Sequence, residues 1–552
     1  MTVLLFLAFY FLLFLFGRGC LLSLKKVSSK HQKEITYLVR EENIFLPIFS
    51  LFILGNFGFI INFFYPLKVT IPFLILASII IIFVNLTDIN LKNIKYTDII
   101  SHILIPSVLC LSAYGITFHA DAADYHLNAQ HWIRESEIVF GLSNIAWTYG
   151  YQSIFEFISA IFWLDGNFIF LHFINVIFMT VFFNFLYKNL LNRDSNFLFF
   201  FSLITLGFGL LDNFGLDGGK NGFVVFQSIG KFDVSFGIIF LLTNIKIFNE
   251  LKKNKFSSTE FSLIIFLSLF SFQIKVIGIY LFIPLVFYLF SMRMNLIYLL
   301  KKIYIYLILI LLWLIKSIIN TSCVIYPITF TCIPTLDWYT EGWVNYLVEN
   351  VRSYNNSYNF DENMITWFNE WGNIQQNNTT LINFTFSIVF LYLLTLLFTK
   401  KNQFLTKENS FISLYISFLI LIWLYSSPEI RFGIGIFLLI ISILSVCIYD
   451  FKFQFLNKLI NQYNLTILVL VCSFLVVRLN SYQHFLDQPF KFYNIDIPKV
   501  EYIANPNSWN VIPANNISSC WINIECVPAN WITYKEDIGS YTKITREFNS
   551  YP

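Results

Sequence analysis

The sequence predicts an all-α polytopic membrane protein with about 14 transmembrane helices. Three observations predict this class. Hydrophobic residues make up 57% of the 552 residues and charged ones only 12%, against about 45–50% and 25% in soluble proteins. Apolar runs recur from end to end, and lysines and arginines gather in alternate loops. The formal net charge of +3 argues against a basic nucleic-acid-binding protein.

A run that crosses a bilayer contains about 17–25 apolar residues, or fewer where it is tilted or buried in protein. Such runs lie at residues 2–16, 44–64, 70–86, 99–118, 168–187, 197–211, 234–248, 261–272, 275–290, 303–319, 382–398, 411–425, 432–449 and 465–477. Residues 153–164, SIFEFISAIFWL, are too short for an ordinary crossing. We interpret them as an amphipathic helix that lies on the outer membrane surface.

The orientation follows from the basic residues, because short cytoplasmic loops are enriched in lysine and arginine. The basic loops contain Arg18, Lys25, Lys26, Lys30, Lys33, Lys92, Lys95, Lys188, Arg193, Lys252, Lys253, Lys255, Arg293, Lys301, Lys302, Lys400, Lys401, Lys407, Lys452 and Lys458. Both termini are therefore expected outside. The predicted organisation is a membrane domain at 1–478, with external loops at 119–152 and 320–380, followed by an external tail at 479–552.

Four cysteines fall in the predicted external segments, where an oxidising compartment permits disulfides. Cys323 and Cys332 share one loop, and Cys520 and Cys526 share the tail. Two disulfides are one interpretation, and four free thiols are the alternative.

Sequence motifs exclude several activities. The chain has no CxxC/His cluster typical of zinc, no GxxxxGK[ST] nucleotide-binding loop and no GxSxG hydrolase motif. An energised pump is therefore not expected, whereas a carrier stays open. No cofactor is identified, and a divalent metal is compatible with the sequence without being required by it.

Ionisable groups concentrate in HADAADYHLNAQHWIRE, residues 119–135. Asp121 and Asp124 are candidate catalytic carboxylates, and the alternative for Asp121 is the capping of a helix through this segment. On such a helix Asp121 and Tyr125 lie four residues apart, while His126 faces another way.

Further ionisable residues lie at the predicted outer ends of other helices. They are Lys231, Asp233, Lys275 and Arg431. Charges at membrane depth are costly and commonly mark functional sites, although Lys275 and Arg431 are also compatible with snorkelling anchors. Together these residues predict a rim of carboxylates and cations, which suits a general base beside a phosphate clamp.

The segment DAADYHLNAQHWI resembles the D-x-x-x-Y-H-L motif in the first external loop of many bacterial GT-C glycosyltransferases. More closely, the chain resembles an uncharacterised family of GT-C-like bacterial membrane proteins. The matching pieces, spread over residues 119–528, are Asp121 with Tyr125 and His126, GLSN at 141–144, YGYQS at 149–153, Asp233, Lys275, CVIYP at 323–327 before Asp337 and Trp338, SPEIRFGIG from Ser427, and CWINIEC from Cys520.

This resemblance implies roles for individual residues. Asp121 would be the general base of an inverting sugar transfer, and Asp124 a weaker candidate. Tyr125 would contact substrate, and Asp233 would position substrate or a metal. Candidates for binding the phosphate or stabilising the leaving group are His126, Lys231, Lys275 and Arg431. Trp338, beside Asp337 and followed by Trp343, would stack on sugar rings; an interfacial aromatic belt is the alternative for these tryptophans.

The resemblance implies a glycosyltransferase in the bacterial cytoplasmic membrane, with the 119–152 loop facing the periplasm or exterior. It would transfer a sugar from a polyprenyl-phosphate-linked donor to a cell-envelope glycan or lipid acceptor, and it would bind no nucleic acid. An O-antigen polymerase or ligase is the enzymatic alternative. A flippase or other carrier of lipid-linked glycans is the non-enzymatic one.

Overall fold

The computed structural model is mostly helical. It describes residues 1–27, 32–85, 95–115, 117–163, 167–192, 195–211, 229–352, 366, 370, 406–426, 430–433, 435–440, 442, 461–491, 495, 497–505, 508–514, 520–527 and 532–546. The α-helices, numbered α1 to α18 in chain order, are Thr2–Val27, Gln32–Arg40, Leu46–Asn62, Leu67–Asn85, Tyr96–Ile99, Ile105–Cys110, Leu127–Glu135, Ile154–Ile161, Ile169–Leu191, Asn196–Leu211, Asp233–Lys253, Ser258–Ile274, Phe282–Ser291, Leu296–Thr321, Trp343–Arg352, Lys407–Ser426, Gln462–Val476 and Leu479–Asp487.

Within the described residues, eight helices are long and apolar enough to cross a membrane. They are Thr2–Lys26, Asn43–Asn62, Leu67–Asn85, Tyr96–Ala113, Ile169–Leu191, Asp233–Lys253, Ile297–Thr321 and Lys407–Ser426. Three shorter helices are also apolar, at Asn196–Gly207, Ser258–Ile274 and Val276–Ser291. Helices α17 and α18 form a pair that is bent by 86°. The chain is therefore a multi-pass membrane protein in contact with the lipid bilayer.

The predicted spans differ from the helices at several bounds. Helix α1 continues to Val27, so Arg18 lies in a helix rather than in a loop. The predicted run at 275–290 starts one residue later, with a 3₁₀ helix at Val276–Leu281 before α13. The run at 382–398 lies outside the described residues, as does half of 432–449.

The core of the bundle is built around α9 and α11. The most apolar window of α9 is 94% buried and that of α11 is 100% buried, against 11% for α4 and 28% for α14. A helix that is apolar on every face is suited either to a protein core or to lipid contact, so sequence hydropathy alone cannot separate these two groups. The tertiary arrangement places α9 and α11 inside and α4 and α14 at the periphery.

Helix α8 corrects one prediction. The amphipathic helix expected on the membrane surface at 153–164 is instead an eight-residue helix in which every side chain is buried. It is capped by the Ser153 hydroxyl, which accepts from the Phe155 amide at 3.2 Å, and it packs against α3 and α7. Eight residues rise only about 12 Å, so α8 does not span. Its apolar face packs against other helices rather than against lipid, so the helix is buried in protein.

The two ends of the bundle differ in their polar contacts. The site end is the end where residues 119–152 lie and where α11 begins and α12 finishes. The opposite end carries a buried cluster, called here the Lys246 cluster. In it the Lys246 ammonium lies 2.7 Å from Glu42 and 3.2 Å from Glu260, and Lys188 lies 3.0 Å from Glu42.

The C-terminal segment folds back onto the site end. Its strands are β1 Tyr502–Ala504, β2 Val511–Pro513, β3 Thr533–Ile538 and β4 Tyr541–Arg546, paired as two antiparallel hairpins, β1 with β2 and β3 with β4. The Ile544 amide donates to the Phe140 carbonyl at 2.8 Å, and the Asn144 amide group donates to the Ile544 carbonyl at 2.9 Å. The tail is thus a small β structure attached to the 119–152 loop.

Candidate functional site

Asp121 lies at the start of a π-helical turn, Ala122–His126, that continues into α7. Its side chain makes no capping hydrogen bond there, so helix capping does not account for this carboxylate. The carboxylate lies 3.2 Å from His119 Nδ1 and 3.9 Å from the Lys231 ammonium, and it accepts a 3.4 Å hydrogen bond from the Tyr125 hydroxyl. With 21% of the side chain exposed, Asp121 combines solvent access with nearby basic groups.

A glycine lets a second segment approach this turn. The His119 amide donates to the Ile229 carbonyl at 3.1 Å. Gly230 follows with a φ of +93°, a conformation that L side chains rarely adopt, and a Cβ there would collide with Ala122. Glycine at this position therefore permits the close contact that brings Lys231 to the carboxylate.

Lys275 and Asp233 form an ion pair beside this segment. Asp233 is the first residue of α11, and Lys275 follows the last residue of α12. The Lys275 ammonium also lies 4.3 Å from the centroid of the Phe432 ring, within the range of a cation–π contact. The ammonium is thus held inside the protein rather than as a lipid-facing anchor. Arg431 is next to Phe432, but its side chain lies outside the described residues.

His126 does not join this group. It is 5% exposed and its Nδ1 is bonded to Glu156, a residue of the buried helix α8. The other oxygen of Glu156 accepts from Gln130 at 2.7 Å, and Gln130 in turn accepts from the Trp163 indole at 2.8 Å. The predicted phosphate ligand His126 therefore bonds α8 to the site helix, a name used here for the π-helical turn Ala122–His126 together with α7. Its face of this helix points into the bundle.

Asp124 lies on the same turn as Asp121 and is half-buried. Burial raises the pKa of the Tyr149 hydroxyl, and the negative charge of Asp124 raises it further. Asp124 is therefore close to Tyr149 in the loop at 142–150.

Trp338 lies at a different place from Asp121. Its indole donates to the Ile318 carbonyl at 3.0 Å, and its ring packs edge-on against Phe140. Trp343 is buried, and its indole donates to the Ser143 carbonyl at 2.9 Å. Both tryptophans hold the 140–144 turn in place, so the predicted stacking on sugar rings has no support from their positions.

Both cysteine pairs form disulfides, Cys323 with Cys332 and Cys520 with Cys526. The Cys520–Cys526 loop covers the site helix. The Trp521 amide donates to the Ala123 carbonyl at 2.8 Å, and the Asn128 side chain donates to the Asn523 carbonyl at 2.7 Å. The tail therefore fixes the helix that carries Asp121.

Sequence reasoning missed three residues at the site end. His119 is not among the predicted site residues but contacts Asp121. Glu156 and Lys316 were not selected, although each is an ionisable residue within an apolar run, and both are buried. Their position within apolar runs could have identified them from the sequence, because ionisable residues at membrane depth are costly unless they have a role.

Within the described residues, no group of three or more His, Cys, Asp or Glu side chains is arranged to hold a metal ion. Asp121 and Asp233 are each adjacent to a lysine instead. The described geometry is that of carboxylates and ammonium groups in a polar rim.

No curated protein and no solved structure matches the chain significantly. One family model does match, over residues 1–438, and it covers α1 to α16 and the rim residues from Asp121 to Arg431 but not α17, α18 or the strands of the tail. Its description is "Domain of unknown function (DUF8201)". Because this match covers more than half of the chain, the protein belongs to the DUF8201 family.

Proposed function

We propose that the protein is a GT-C-like glycosyltransferase, which transfers a sugar from a polyprenyl-phosphate-linked donor to a cell-envelope glycan or lipid acceptor. The observation that carries the proposal is the partly exposed Asp121 carboxylate with the Lys231 ammonium 3.9 Å away. In this reaction the acceptor hydroxyl loses a proton and the departing phosphate gains negative charge. A carboxylate base is suited to the first change and an ammonium group to the second.

In the proposed step the acceptor hydroxyl gives its proton to the Asp121 carboxylate. The acceptor oxygen forms a bond to the anomeric carbon from the face opposite the phosphate. The bond between that carbon and the phosphate oxygen breaks, and the oxygen keeps the electron pair, so the sugar configuration inverts. Lys231 then neutralises charge on the departing lipid phosphate.

The neighbouring groups have positioning roles. Tyr125 donates to Asp121 and orients the carboxylate toward the acceptor. The Asp233–Lys275 pair anchors the start of α11 and so holds Lys231, two residues earlier. His126 is assigned no phosphate contact, since it is buried against Glu156.

The proposed setting is the bacterial cytoplasmic membrane. About 14 crossings would include the eight long helices, the shorter apolar helices and the predicted runs at 382–398 and 432–449. The Lys246 cluster would face the cytoplasm and the site end the exterior, following the distribution of basic loops. A reporter fused after Gln130 that reads as cytoplasmic would contradict this orientation.

The proposal is tested with the full-length protein in proteoliposomes. A panel of polyprenyl-phosphate sugars is supplied as donor with envelope glycan acceptors, and the glycosidic product is measured. We expect product with the wild type and with Asp487→Asn, an exposed aspartate at the end of α18, but not with Asp121→Asn. Full activity of Asp121→Asn would remove the general base, and movement of glycan without a new glycosidic bond would identify a carrier.

A further inference from the structure

We infer that a polar cavity behind the site helix binds a sugar ring. The cavity is partly open to solvent, and about 450 Å³ of space lies between its lining atoms when that open part is included. The lining residues on which the inference depends are Trp132, Tyr149, Gln152, Glu156, Lys316 and Asn320. The inference rests on the proposed function, and it names where one sugar of the donor or the acceptor lies.

Within the part of the chain that the structure describes, several buried polar atoms of the cavity wall have no hydrogen-bond partner, which points to a ligand. They are the Trp132 indole N–H, the Tyr149 hydroxyl, both polar atoms of the Gln152 side chain and the Asn320 carbonyl oxygen. Trp132, Tyr149 and Asn320 are each less than 5% exposed. Leaving such groups unpaired is costly, so this concentration of them on one cavity favours an occupant that hydrogen-bonds to them.

The chemistry of these atoms selects a polyhydroxyl ligand over a phosphate. Trp132 supplies a donor, Asn320 an acceptor, and Tyr149 and Gln152 can do both. A phosphate presents acceptors and would be suited to donors alone, whereas each sugar hydroxyl both donates and accepts. Glu156 adds a carboxylate to the wall, which disfavours an anion. The cavity is therefore suited to a neutral sugar ring.

Besides the Glu156 carboxylate, the wall contains the side chain of Lys316, whose nitrogen is a hydrogen-bond donor. Lys316 is 5% exposed, and its ammonium lies 4.8 Å from the Phe157 ring centroid and 5.2 Å from that of Trp313. Among the described residues, no carboxylate lies within ion-pair distance of it. A donor held over aromatic rings in this way can bond to a hydroxyl that enters the cavity.

The site helix connects the cavity with Asp121. Tyr125 donates to Asp121, and its ring packs on the cluster that contains Trp132 and Tyr149. Ala129 and Trp132, which follow at helical spacing, line the cavity. A glycan bound there would therefore extend along the same face of the helix as the proposed base.

The test measures sugar binding to the full-length protein in lipid nanodiscs by saturation-transfer NMR. The probes are methyl glycosides of glucose, galactose, mannose and N-acetylglucosamine, with inorganic phosphate as competitor. We expect at least one glycoside to bind saturably. Gln152→Leu and Asn320→Leu, close in size to the native residues, should each weaken its binding about tenfold, and Lys316→Met should do so while keeping its apolar stem.

The control is Gln462→Leu, an exposed glutamine in the first turn of α17, which should bind sugar as the wild type does. Asp121→Asn should also retain binding, which separates this inference from the proposed catalytic role. If adding the polyprenyl-phosphate form of the bound sugar blocks the glycoside, the cavity holds the donor sugar; if it does not, the cavity holds the acceptor.

Three outcomes would overturn the inference. In one, none of the glycosides binds, so that the cavity holds only water. In another, phosphate displaces the glycoside and Lys316→Met abolishes phosphate binding, which identifies an anion site. In the third, the Gln152→Leu variant binds sugar and catalyses sugar transfer as the wild type does. Sugar binding without any transfer activity would instead contradict the proposed function alone.

Discussion

Asp121 and the Lys246 cluster both pair carboxylates with lysine, but they do so in opposite ways. At the opposite end, Lys246 is 4% exposed and contacts Glu42 and Glu260 at 2.7 and 3.2 Å. At the site end, Asp121 is 21% exposed, and its contact with Lys231 is 3.9 Å. The first arrangement is closed and suited to holding α11 and α12 together. The second contact is longer, and its carboxylate is partly exposed to solvent.

The difference teaches which charges in a membrane protein are structural. A buried ion pair must offset the cost of removing both charges from water, which requires short contacts and several partners. A carboxylate that acts as a general base must stay accessible to the substrate group that gives up its proton. Contact length and exposure therefore distinguish the two clusters, whereas sequence position does not.

The largest expected effect separates activity from stability at Asp121. We expect Asp121→Asn to lower transfer by a factor of about 10²–10⁴, the usual contribution of a general base, with an unchanged unfolding temperature. Glu42→Gln should show the reverse, with a lower unfolding temperature and near-native turnover per folded molecule. Product formation and thermal unfolding in detergent measure the two effects. Equal loss of stability in both variants would contradict the distinction.

Removing the central cation of the closed cluster should unfold the protein more easily. Lys246→Met leaves Glu42 and Glu260 buried without their shared partner, so we expect a loss of about 3–5 kcal/mol in unfolding free energy. Lys68→Met is the matched control. The Lys68 side chain is 60% exposed and paired with Glu135, so its loss should cost at most about 1 kcal/mol. Similar unfolding curves for both variants would show that the cluster is not structural.

Acid should weaken the same end of the bundle. Burial opposes ionisation of Glu42, but Lys246 and Lys188 outweigh it and lower the pKa of its carboxyl from 4.5 to about 2. A lowered pKa means that the stabilisation is complete above pH 4.5 and is lost as the pH falls toward 2. Unfolding temperature followed over this range should fall in the wild type and less steeply in Glu42→Gln. Glu525→Gln, at an exposed tail position, should keep the wild-type profile.

The smallest expected effect concerns the tail, which contacts the site helix through the Cys520–Cys526 loop. Replacing both Cys520 and Cys526 with serine should cost about 2 kcal/mol or less, because the closed loop is short. Hydrogen exchange should accelerate at the site helix and stay constant around Lys246, and transfer should fall less than tenfold. Cys20→Ser, which breaks no disulfide, is the control. Unchanged exchange at residues 119–135 would show that the loop does not hold that helix.

The helical membrane class and most segment positions could be predicted from sequence, because apolar length and loop charge are local properties. The helix on residues 153–164 was predicted at the correct place but on the wrong surface. A short amphipathic segment has the same pattern whether its apolar face meets lipid or protein. Its burial depends on α3 and α7, which are distant in the sequence.

The candidate site was predictable in part. Lys275 stood out because its charge interrupts an apolar run, and Asp233 because it begins one. Their mutual contact joins residues 42 positions apart, which no local pattern encodes. His126 was misjudged as a phosphate ligand for a related reason: its type is suited to phosphate, but its burial against Glu156 depends on how α8 packs.

The sequence alone was sufficient to predict a helical multi-pass protein with a local concentration of ionisable groups at residues 119–135, because hydropathy and charge are properties of each residue. Only the tertiary structure decided that Asp121 meets His119 and Lys231, that His126 turns inward to Glu156, and that the Cys520–Cys526 loop covers the helix. Such contacts arise from packing between distant segments, because a helix exposes several faces and the neighbouring elements determine what each face contacts.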